Sequence, residues 1–150
     1  MVVHDEVAPG IHRIIDTCNV YLIESTDGAE RTAVAIDFGS GLALDVLDEL
    51  GITRLTAVLM THHHRDQGQG LPRAVAAGIP VYVPPVEQDL FASVDEMWAT
   101  RTLENDYNLR QDRFSILDPV PIAGTVPEYR AHDFGGVTVT TIPTPGHTIG

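Results

Sequence analysis

Lysine is absent from this 150-residue chain, and all nine of its basic residues are arginine. That excludes Schiff-base chemistry and the phosphate-cradling lysine of a P-loop within these residues. Basic charge of any kind is scarce: twenty-one acids face nine bases, for a formal net charge of −12. Such a charge opposes a nucleic-acid backbone or an anionic membrane surface as partner. Cys18 is the single cysteine, which rules out an internal disulfide and a cysteine zinc knuckle and fits a reducing compartment. No apolar run approaches the roughly 18 residues of a membrane span. The stretch Met1–Gly10 has neither a basic start nor an apolar core, so the expected location is cytoplasmic. With 43% apolar residues, residues 1–150 are expected to form one globular domain.

What the chain does have is a rhythm. Ile11–Ile15, Val20–Glu24 and Thr32–Asp37 are short apolar runs bounded by turn residues, as strands are. Leu42–Leu50 changes period, with Leu42, Val46, Leu47 and Leu50 on one helical face and Gly51 placed to end it. Leu55–Met60 shows no polar alternation beyond Thr56, as expected of a strand covered on both faces. A helix over Leu71–Ala77, with Pro72 in its first turn, leads to a strand over Ile79–Val83 that Pro84-Pro85 closes. Alternating strands and helices imply βαβ crossovers and a mainly parallel sheet in this part, hence an α/β fold. Val86–Leu103 carries Val86, Leu90, Phe91, Val94, Met97 and Trp98 at spacings of three and four, which predicts one long helix with these side chains in the core. The polar stretch Arg101–Arg113 is either a solvated loop or a substrate-shaping insertion. Tyr129–Phe134 and Val137–Ile142 flank Gly135-Gly136 and predict a hairpin.

The chemistry is concentrated in Thr61-His62-His63-His64-Arg65-Asp66-Gln67, where a buried strand gives way to a helix. Sites on α/β sheets lie at such ends. Alternate side chains of extended backbone point the same way, so His62 and His64 can reach one ion while His63 faces elsewhere. Asp66 continues the series two residues on. His147, in the turn Pro143-Thr144-Pro145-Gly146-His147-Thr148, supplies a third imidazole. Three imidazoles leave a catalytic zinc one position for water, which then ionises near neutral pH. His4, His12 and His132 have no neighbour at metal-ligand spacing and are expected to be structural.

Thr61-His62-His63-His64-Arg65-Asp66 resembles the Thr-His-x-His-x-Asp-His signature of the metallo-β-lactamase superfamily, and Thr144-Pro145-Gly146-His147-Thr148 resembles its later Thr-Pro-Gly-His-Thr motif. Asn19–Leu22, with Ile36-Asp37-Phe38-Gly39, is similar to the strands that open that fold, where an Asp-x-Gly turn is common. The resemblance implies an αββα sandwich of which this chain covers about the first half. It also implies that His62, His64 and His147 hold the first metal and that Asp66 belongs to a second site. Two departures bear on that expectation. Gln67 stands where the family has histidine, and a neutral amide is a much poorer zinc ligand, so the second site is expected to be weak, altered or empty. The family's fold also runs on to a metal-bridging aspartate and a last histidine, so residues 1–150 are expected to be the N-terminal half of a longer protein.

The leading expectation is a hydrolase that uses a metal-activated water on a small ester, lactone or thioester. In it one or two zinc ions are bound, and Asp66 is the catalytic group that orients the water or takes its proton. Two alternatives stand beside it. One is a mononuclear iron enzyme like the sulfur dioxygenases of the superfamily, since histidines and a carboxylate with open positions also suit Fe(II). The other is a binding module that keeps the fold without the chemistry.

Overall fold

The computed structural model describes residues 2–25, 27–100 and 114–150. Its frame is a seven-stranded sheet whose spatial order is its chain order: β1 (Val3–Ala8), β2 (Ile11–Ile15), β3 (Asn19–Glu24), β4 (Thr32–Ile36), β5 (Arg54–Leu59), β6 (Val81–Val83) and β7 (Gly124–Thr125). The first four strands form an antiparallel meander; from β4 to β7 every pairing is parallel. The parallel part is the one in which strands alternate with helices, as the sequence rhythm requires.

The sheet separates two apolar layers. One holds Ile14, Leu22, Ala35, Val58, Met60 and Val83 against Leu71, Ala74, Phe91 and Val94 of the helices. The other, on the opposite face, holds Val34, Ala57, Leu59 and Val126 against Phe134 and Val137. Residues Leu55 and Val58 face the same layer although three apart, because the pairing of β4 with β5 slips by one residue at Thr56. The Thr56 hydroxyl is then free to bond outside the ladder, to the carbonyls of Ala33 (3.2 Å) and Phe134 (2.7 Å). It thereby pins the hairpin formed by β8 (Ala131–Asp133) and β9 (Thr138–Thr140) onto the sheet.

Most predicted elements lie where expected, with several corrections. The helix over Leu42–Leu50 is two pieces, a 3-10 turn over Leu42–Asp45 and α1 (Leu47–Leu50), which Gly51 ends at φ +69°. A one-turn helix, α2 (Arg65–Gly68), precedes α3 (Leu71–Ala76). The strand predicted from Ile79 begins at Val81, because the Ile79 amide bonds back to the Ala74 carbonyl and Pro80 has no N–H to give a ladder. The predicted long helix Val86–Leu103 is broken: a 3-10 turn over Pro85–Glu87 leads into α4 (Gln88–Ala92), and Ser93 leaves helical geometry before α5 (Val94–Thr100). A one-residue break leaves the apolar period nearly intact, so periodicity alone does not reveal it. Val86, expected in the core, is 52% exposed, whereas Glu87 is fully buried. The expectation for Arg101–Arg113 lies outside the described residues. No described helix is long and apolar enough to cross a membrane.

Candidate metal centre

The parallel strands β4 and β5 end side by side, and their C-terminal residues build the floor of the site. Asp37, just past β4, is held at φ +56°. Its buried carboxylate accepts the Thr61 amide (2.8 Å) and the Thr61 hydroxyl (2.8 Å to Oδ2) at the end of β5. Burial pushes the Asp37 carboxyl up to about 6 even though both Thr61 bonds oppose it. The Thr61 hydroxyl has one proton, and a carboxylate can only accept, so that proton points to Asp37. The same oxygen lies 2.9 Å from His62 Nδ1 and therefore accepts from it. This fixes the tautomer: the His62 proton sits on Nδ1, and the lone pair of Nε2 is free.

That Nε2 is buried and, among the described residues, has no hydrogen-bond partner. His64 and His147 approach it, with ring centroids 4.7 and 5.0 Å from the His62 ring, and His64 Nδ1 lies 3.1 Å from His147 Nε2. One ligand atom from each of the three imidazoles falls within 4.8 Å of the others. His64 reaches this point from extended backbone (φ −65°, ψ 148°), while His63 between the two turns away to Glu87. Burial and neighbouring imidazoles lower the pKa of His62, and they lower that of His64 to about 4, although nearby carboxylates pull the other way. Neutral imidazoles aimed at one point, one of them with an orphaned buried nitrogen, fit a divalent transition-metal ion.

Asp66 lies in the first turn of α2, outside the three-histidine group. Its Oδ2 accepts from Gln67 Nε2 at 3.2 Å, so the amide serves the carboxylate. The backbone there is tightly held. The Asp66 carbonyl accepts the Thr17 hydroxyl (2.6 Å), and the Gln67 carbonyl accepts the amides of Phe38 (2.9 Å) and Gly39 (2.8 Å). Gly70 makes this fit possible, since a Cβ there would lie 2.3 Å from the Ser40 carbonyl carbon. Cys18 is pushed up to about 12 by its burial and by the charges of Asp37, Asp66 and Asp16, which keeps it a thiol.

The other described histidines lie outside the three-histidine group. His4 meets Glu49 at 3.2 Å, His12 meets Glu24 at 2.6 Å, and His132 lies against the Phe134 ring. Two contributors to the site escape sequence reasoning. Thr61 shows only as the first letter of a motif, with no sign that it sets a tautomer. Glu87 falls on what the pattern reads as the polar side of a helix; the two prolines before it are the only local hint of a special backbone.

Residues 14–150 match the family model of the metallo-β-lactamase superfamily. The chain belongs to that superfamily. Within it, the chain is 36% identical over 96 residues to a hydroxyacylglutathione hydrolase of Bdellovibrio bacteriovorus, a match covering 62% of this chain and 35% of that protein. Among solved structures, a metallo-β-lactamase of Novosphingobium pentaromativorans superimposes with a TM-score of 0.73 at 18% identity, covering 98% of this chain and 52% of the other. One from Cronobacter sakazakii, with a HARLDQ motif, gives 0.69 at 22% identity over 98% and 56%. The metallo-β-lactamase fold expected from the motifs is thus present, and the chain spans about half the length of these solved relatives.

Proposed function

We propose that His62, His64 and His147 hold a metal ion, zinc in the first instance, in a hydrolase that cleaves a small acyl substrate. The observation that carries this reading is the buried, unpartnered Nε2 of His62 at the meeting point of three imidazoles. Such an ion supplies a water acidified to near neutral pKa and polarises the scissile carbonyl. The protein's own groups do the rest. Thr61 and Asp37 keep the proton on His62 Nδ1, and Asp66, beside the histidines with one oxygen engaged by Gln67, is the carboxylate available to accept a proton from the attacking water. A thioester is the favoured substrate among ester, lactone and thioester, supported by the 36% identity to a hydroxyacylglutathione hydrolase.

The test is metal content first. His62→Ala and His147→Ala should each abolish the bound metal of protein purified without added ions. One retained equivalent in either variant refutes the ligand assignment. Elemental analysis of the parent decides between zinc and iron. A panel of a hydroxyacylglutathione thioester, an ester and a lactone should then show chelator-sensitive cleavage, fastest for the thioester. Absence of cleavage with stoichiometric metal bound would leave the binding-module reading.

A further inference from the structure

The imidazoles come from segments more than eighty residues apart, and one buried side chain touches both segments. Glu87 Oε2 accepts the backbone amide of His63 at 2.7 Å and His63 Nδ1 at 2.9 Å. Its other oxygen, Oε1, accepts the amide of Gly150 at 3.0 Å, and the Thr148 hydroxyl is near enough to help hold the carboxyl below its ordinary pKa. His63 stands between His62 and His64; Thr148 and Gly150 follow His147. We propose that Glu87 is the positioning residue of the metal centre: it holds the His62–His64 segment and the His147 turn at the separation one ion requires. This inference rests on the ligand assignment made above.

The geometry gives Glu87 this role for three reasons. A carboxylate offers about four acceptor positions; the His63 amide and ring take two and the Gly150 amide a third, with the Thr148 hydroxyl beside them. Because the carboxylate can only accept, His63 Nδ1 must carry a proton, so His63 is committed to Glu87 and not to the ion. The last turn has few other ties: among the described residues, the hydrogen bonds leading from residues 142–150 to the rest of the protein run to His64 and Glu87. The approach is also close, since a Cβ on Gly150 would lie 3.0 Å from Glu87 Oε1. Without this bridge the ion itself would have to order the His147 turn, and its affinity would fall by that cost.

Glu87→Gln isolates the effect. The amide keeps the volume but has a single acceptor oxygen and turns an NH2 donor toward donors, so one of the two segments loses its anchor. Cobalt(II) is the probe, because its visible absorption reports ligand number and geometry independently of turnover. The parent should bind one equivalent, and Glu87→Gln should bind about 10–100-fold more weakly, with a changed spectrum. Leu90→Ala, a core variant on the neighbouring helix, serves as control; it lowers the melting temperature but should leave cobalt affinity within about twofold. Thr148→Val removes one donor at little risk to folding and should weaken cobalt several-fold, which keeps the idea testable if Glu87→Gln does not fold. Parent-like affinity and spectrum in Glu87→Gln, or in Thr148→Val, would overturn the positioning role while leaving the ligand assignment intact. An equal loss in Leu90→Ala would overturn it too, as mere destabilisation. A parent that binds no cobalt would overturn both readings.

Discussion

The two halves of the candidate centre are built differently. His62 and His64 leave the end of β5, a strand buried on both faces, through Thr61, which is tied to its neighbour strand by the Asp37 carboxylate. His147 comes from a turn beyond the hairpin, in a stretch where Ile142 is 68% and Ile149 43% exposed. The first half inherits its position from the sheet. The second depends on a few polar contacts made at a distance, so its order and the metal should be strongly coupled. Removing ligands and removing anchors should therefore have unlike consequences in the two halves.

The largest difference is expected from the histidines. His62→Ala and His147→Ala both eliminate bound metal. In the metal-free state, hydrogen exchange should be unchanged across β4 and β5 in His147→Ala but fast in residues 142–150. Protection of that turn equal to that of the sheet would erase the distinction between the halves. Next comes Asp37→Ala, which strands the Thr61 amide and hydroxyl and should cost about 2–4 kcal/mol by urea denaturation. Thr56→Val removes the one hydroxyl proton shared between the Ala33 and Phe134 carbonyls and should cost about 1–2 kcal/mol, with faster exchange confined to β8 and β9.

The pH dependence tests the Asp37 carboxylate on its own. Burial raises the folded Asp37 pKa from 3.8 to about 6, so between these values the folded protein holds a proton that the unfolded chain has lost. This contribution to stability is full below pH 3.8 and lost as pH rises through about 6, on the order of 3 kcal/mol in total. Asp37→Asn should remove that fall. His64, whose folded pKa is lowered to about 4, works in the opposite direction, but equally in both proteins, so it cancels when metal-free parent and variant are compared. Equal slopes for parent and Asp37→Asn would refute the assignment.

Legibility in the sequence followed the same division. Strands β2 to β5 were readable because burial on one or both faces leaves a direct imprint on composition. Strand β1 was not, because it is an edge strand rich in His4, Asp5 and Glu6, with Val3 and Val7 facing outward. The breaks at Val46 and Ser93 were hidden because a single non-helical residue barely disturbs a helical period. His62, His64 and His147 announced themselves by chemistry and spacing. Glu87 did not, since nothing local distinguishes a buried acceptor from a solvated one; its partners lie 24 and 63 residues away.

The carboxylate shared by both segments also limits what can be transplanted. Moving only the triple-histidine loop, or only the Pro-Gly-His turn, into another scaffold would carry ligands without the spacer that sets their separation. A successful graft has to take the stretch that follows Pro84-Pro85 along with them, so the smallest portable unit of this centre is three pieces of chain rather than two.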